Sequence, residues 1–121
     1  MEFEKITKTV ELLAPPDFES QSQLIEYRLD PLTGSRCLIN TKRAERAKQA
    51  ENMAHVSDAI TTETAKGCFF CSEHLESETP KFPPDICAEG RIERGECTVF
   101  PNLFAFAEYH AVATLSHAHF L

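Results

Sequence analysis

Residues 24–40 read "LIEYRLDPLTGSRCLIN", and the fold class turns on them. In "LIEYRLD", Ile25, Tyr27 and Leu29 alternate with Glu26, Arg28 and Asp30, which predicts a strand with one buried face. "DPLTGS" predicts a turn. The Asp30 carboxylate can bond the backbone ahead of it, Pro31 presets φ, and Gly34 supplies a positive φ. "RCLIN" is then the returning strand of a β-hairpin.

Upstream, residues 1–22 predict an N-terminal arm or linker, because "LAPPDFESQSQ" combines two prolines with a polar run. Downstream, "TKRAERAKQAENMAHV" (residues 41–56) predicts a surface helix from its Ala, Glu, Lys, Arg and Gln content, capped by Asn40 or Thr41. "SDAITTETAKG" fits helix or loop. "ESETPKFPPDI" carries three prolines within five residues and predicts irregular backbone. "ECTVFPN" and "HAVATLS" predict two further strands on either side of "LFAFAEY". The expected architecture is α+β: mainly antiparallel sheet with flanking helices, in one domain spanning residues 23–121.

The 121 residues allow one domain at most, and 26% charged with 42% hydrophobic residues is ordinary globular composition. A formal net charge of −7 argues against a general nucleic-acid or membrane-surface binder, both of which need a basic footprint. No apolar run approaches the roughly 20 residues of a membrane span, and the acidic, mixed start resembles no signal peptide. A cytoplasmic location is the expectation. There Cys37, Cys68, Cys71, Cys87 and Cys97 read as thiols or metal ligands rather than disulfides.

Two clusters carry chemistry. Lys42, Arg43, Arg46 and Lys48 interrupt an otherwise acidic chain, and Arg43 and Arg46 share a face if the segment is helical. Guanidinium forks near a helix N-terminus suit phosphate oxygens; a solvated helix face balanced by Glu45 is the alternative. The second cluster is "CFFC". A C-x2-C knuckle supplies half of a tetrahedral zinc site, though a redox pair or two unrelated buried thiols fit the spacing too. Candidates for the remaining ligands are His74, Cys87, Cys97, His110, His117 and His119.

Three stretches, in order, resemble the galactose-1-phosphate uridylyltransferase family, within the wider histidine-triad superfamily. "YRLDPLTGSRCLINTKRAER" is similar to its D-P-L-T-G turn, strand and R-A-x-R pair. "CFFCSEHLESETPKFPPDI" is similar to its C-P-F-C and T-P-P-E-I segments. "VFPNLFAFAEYHAVATLSHAHFL" resembles V-F-P-N-x-F-P-A followed by G-x-H-E-V-x-V-x-S-P-x-H. The likeness covers residues 24–121 and implies half of a histidine-triad-like fold.

By that resemblance Cys68, Cys71 and His119 are zinc ligands, Arg43 and Arg46 meet nucleotide phosphates, and Asn102 contacts the uridine diphosphate part of the substrate. The implied partners are a UDP-sugar or other nucleotide and a sugar phosphate, and the implied chemistry is uridylyl transfer through a covalent histidine intermediate. Leu103, Phe69, Ala47 and His117 depart from the pattern. The family's nucleophile and fourth zinc ligand lie in a later H-P-H-x-Q stretch, so the chain reads as the N-terminal part of such an enzyme, inactive by itself. The fourth position then falls to a group beyond residue 121, to His74 or to water. A non-catalytic, zinc-stabilised module binding nucleotide or protein is the competing expectation, and a redox protein using Cys68 and Cys71 is a third. Strand edges left open at "HFL" predict partial instability or a homodimer.

Overall fold

In a computed structural model of the protein, the structure describes residues 3–45 and 68–119. The hairpin read from residues 24–40 is present, but as part of a larger sheet. Strand β1 (Glu4–Ala14) pairs antiparallel with β2 (Glu19–Leu29), and β2 pairs with β3 (Arg36–Ile39). The turn between β2 and β3 follows from its residues. Leu32 N donates to Asp30 Oδ1 at 2.9 Å, Thr33 Oγ1 donates to Asp30 Oδ2, and Gly34 takes φ +74°. These bonds hold the Asp30 carboxyl below its usual range, Thr33 contributing most.

The expected arm is corrected by β1. Residues 4–14 are a strand of the sheet, and "APPDF" is the turn of a second hairpin, with a cis Pro15–Pro16 bond and Phe18 at φ +55°. Ile6, Lys8, Val10 and Leu12 alternate onto one face, but only Val10 and Leu12 are buried. Their burial depends on cross-strand neighbours and on a distant loop, so the prolines outweighed the alternation.

The second sheet is β4 (Ile92–Arg94), β5 (Cys97–Pro101) and β6 (Ala111–Thr114), also antiparallel with β5 central. The strands read from "ECTVFPN" and "HAVATLS" are β5 and β6; β4, only three residues long, carried no clear signal. Helix α1 (Ser72–Glu78) takes up the first part of the stretch expected to be irregular. The basic segment begins as a 3-10 turn over Thr41–Glu45, where Lys42 N bonds Asn40 Oδ1 at 3.0 Å; the rest of the expected helix, Arg46 included, lies outside the described residues. Among the described residues, helix is therefore minor, and the architecture is two three-stranded antiparallel sheets.

The core forms where loop 102–110 crosses the first sheet. Val10, Ile25 and Ala105 are buried together, with Tyr27 packed against them. Three successive carbonyls of this loop would be stranded without partners. Gln23 Nε2 takes that of Leu103 at 2.5 Å, Arg43 Nη1 that of Phe104 at 2.5 Å, and Asn40 Nδ2 that of Ala105 at 2.6 Å. Asn40 also donates to Gln23 Oε1 at 2.9 Å, closing a buried network that locks the loop to the sheet.

Arg91 does the same for α1. It is 7% exposed and donates to Glu76 O (2.8 Å), Thr79 O (2.7 Å) and Thr79 Oγ1 (3.0 Å), satisfying the helix's C-terminal carbonyls. Burial pushes its pKa below the ordinary arginine value, without removing its charge. Among the described residues no helix is long and apolar enough to cross a membrane.

Candidate metal centre

Cys68 and Cys71 lie on the turn that leads into α1. Cys71 N donates to Cys68 O at 3.4 Å, and the Cys71 carbonyl accepts from His74 N and Leu75 N, each at 2.9 Å. Cys71 is the N-cap, extended at φ −71° and ψ 146°, so its side chain leaves the helix at the first turn. Between the cysteines, Phe70 stacks on the ring of Phe100, with centroids 6.0 Å apart and planes 22° apart. Phe100 is buried on central strand β5. The turn is thus seated on the second sheet.

The same sheet positions a third candidate ligand. Strand β6 pairs with β5, and the chain continues from it through a bend in which Ala118 N bonds Ser116 Oγ at 3.1 Å. His119 follows, with Nδ1 at 3.1 Å from Cys71 Sγ. The ligand atoms of Cys68, Cys71 and His119 all lie within 4.8 Å of one another, and all three residues are half-buried. His117, two residues earlier, is exposed and outside this group.

The donor set fits a transition-metal ion. At Zn–S and Zn–N distances of about 2.3 and 2.0 Å, tetrahedral ligand atoms stand roughly 3.5–3.8 Å apart, within reach of small rotations here. Two soft sulfurs and one imidazole suit zinc rather than calcium or magnesium, which take oxygen. Burial is the main cause raising the Cys71 thiol above its ordinary value; the adjacent Cys68 and the charge of Glu73 add to it. A dication held by these residues would reverse that balance, because it would stabilise both thiolates at once.

The other expected site residues are placed differently. Arg43 is held by loop 102–110: besides its bond to Phe104 O, its Cζ lies 3.5 Å from the centroid of the Phe106 ring. Asn102 faces the same loop, its Oδ1 accepting from Phe104 N at 2.9 Å. Arg43 and Asn102 therefore meet at one segment, and both are engaged in holding it. His110 closes the loop: its Nδ1 accepts from Phe106 N at 3.0 Å and its ring stacks on Phe106. Arg46 lies outside the described residues.

Residues that the motifs did not single out shape this region. Gln23 and Asn40 hold the loop, and the signal for Gln23 was a polar residue on the apolar face of β2, in line with Ile25 and Tyr27. Beyond the loop, Lys8, Tyr27, Phe106, Glu108, Tyr109 and His110 line an open depression of about 600 Å³. Lys8 Nζ and Glu108 Oε2 pair across it at 3.1 Å.

No family model, curated protein or solved structure matches the chain.

Proposed function

We propose that this chain is a zinc-stabilised, nucleotide-binding unit of the galactose-1-phosphate uridylyltransferase type, built on a histidine-triad-like half-fold. The observation that carries the reading is the meeting of Cys68, Cys71 and His119, three positions named by the family's motifs and drawn from segments 48 residues apart. A shared knuckle and histidine could arise in many folds; their convergence at the positions the motif order names is more demanding.

In this reading Cys68, Cys71 and His119 hold the ion. When bound, it supplies a cross-link between the turn before α1 and the segment after β6. Arg43 presents its guanidinium to nucleotide phosphates. Its bond to Phe104 O uses one of five N–H donors, so the fork is oriented in advance and keeps donors for an anion. Arg46 adds a second fork, and Asn102 positions the uridine diphosphate part through the loop it shares with Arg43. The substrates are a UDP-sugar and a sugar phosphate in the cytoplasm. No residue of this chain matches the family's nucleophilic histidine, so its own share of the chemistry is binding and charge stabilisation.

The engagement of Arg43 with Phe104 and Phe106 favours a second reading, a non-catalytic zinc module that binds nucleotide or protein. Calorimetry with UDP-glucose, UMP and glucose 1-phosphate separates the two. Binding of UDP-glucose that is weakened at least tenfold by Arg43→Ala supports the first reading. Absence of nucleotide binding by the zinc-loaded chain rejects both nucleotide readings.

A further inference from the structure

The candidate metal centre is half-buried and joins two distant segments. Both sulfurs come from one four-residue turn, both cysteines are half-buried, and the imidazole comes from a segment that follows the last strand. Structural thiolates resist oxidation when they are fully enclosed; these belong to half-buried residues and stand within 4.8 Å of each other. We infer that Cys68 and Cys71 form a redox-sensitive latch: a hydroperoxide converts the metal-bound dithiolate to a disulfide, expelling the ion and ending the metal link between the cysteine turn and His119. This rests on the metal-centre reading above.

The chemistry balances with a hydroperoxide as the sole oxidant. One thiolate sulfur attacks the distal peroxide oxygen; the O–O bond breaks, a proton is taken up, and an alcohol (or water) leaves. The sulfenic acid so formed is attacked by the second thiolate, closing the S–S bond and, with a second proton, releasing water. Two electrons pass from the two sulfurs to the peroxide. His119 would then be the one remaining donor of the three, too few to hold a dication against water. Because Cys71 is also the N-cap of α1, the new bridge stays within the turn, and the segment from Leu115 onward loses its tie to it.

A Cys residue outside the pair could react instead, so the location of the bridge decides the matter. The reduced, zinc-loaded chain is treated with hydrogen peroxide while a chromogenic chelator reports free zinc. Thiols are counted before and after, and the bridge is located by mass spectrometry of proteolytic peptides. The expected result is release of about one zinc ion per chain with loss of about two thiols, a Cys68–Cys71 linkage, and full reversal by dithiothreitol and zinc. Proteolytic cleavage after residue 114 accelerates at least fivefold in the oxidised form. The variant with Cys37, Cys87 and Cys97 all changed to serine gives the same stoichiometry; if it fails to fold, peptide mapping of the unaltered chain decides alone. Zinc retained through peroxide treatment, or released without a Cys68–Cys71 linkage, overturns the latch while leaving the metal centre standing. A reduced chain that binds no zinc overturns the metal centre and the latch with it.

Discussion

His119 Nδ1 lies 3.1 Å from Cys71 Sγ, closing a loop of 48 residues that contains α1 and the whole second sheet. A tie of that length constrains the unfolded chain strongly, so an ion held there contributes directly to folding stability. Zinc should therefore raise the melting temperature of the unaltered chain, by a stabilisation of about 2.7 kcal/mol at a free concentration 100 times the dissociation constant. Cys71→Ser and His119→Ala should abolish the zinc-dependent part of the shift, and His117→Ala should leave it in place. Differential scanning calorimetry with and without zinc reads the difference.

Arg91 is the buried charge on which the end of α1 depends. Arg91→Leu removes three hydrogen bonds and leaves Thr79 and the carbonyl of Glu76 without their donor. We expect a loss of about 3 kcal/mol in urea unfolding. Arg91→Lys should recover only part of it, because an ammonium cannot span the same fork.

The loop that carries Asn102 is held by Gln23, Asn40 and Arg43, and the first two are bonded to each other. Asn40→Ala should cost about 2 kcal/mol, and Gln23→Ala a similar amount. The double variant should cost clearly less than the sum, since either change already breaks the shared bond. Equilibrium unfolding of the two single variants and the double variant completes the cycle.

Asp30 supplies a pH dependence whose sign is set by its bonds. Its carboxyl is held below its ordinary value of 3.8, chiefly by Thr33 Oγ1 and then by the Leu32 amide. A carboxyl depressed in the folded state contributes stability above its unfolded pKa. That contribution fades as pH falls through the folded value. Carbon-detected NMR titration should place the Asp30 midpoint below 3.8, and Thr33→Ala should move it upward toward that value.

The β2–β3 hairpin was legible because its determinants are adjacent: alternation at Ile25, Tyr27 and Leu29, and an Asp30 carboxylate that bonds its own turn. Strand β1 was not legible as such. Only Val10 and Leu12 of its inward-facing residues are covered, and the covering atoms include Ala105, some 90 residues away. The role of Arg43 shows the same limit. Its place in the basic cluster fits a phosphate fork or a solvated helix face, while the Phe104 carbonyl that it bonds and the face of Phe106 are brought to it only by the crossing of the loop.

What the sequence determined by itself is local. Turn chemistry at 30–35, the strands around Tyr27, Phe100 and Val112, and the C-x2-C knuckle all follow from residues within a few positions of one another. Which histidine completes the knuckle was beyond spacing alone, since His74, His110, His117 and His119 all carry the right chemistry. Tertiary structure brings His119 to the pair and leaves His117 exposed, because β6 docks on β5 in a register that fixes where the following residues emerge. A ligand atom is selected by position to within an ångström or so, and that position is a property of the packed sheet.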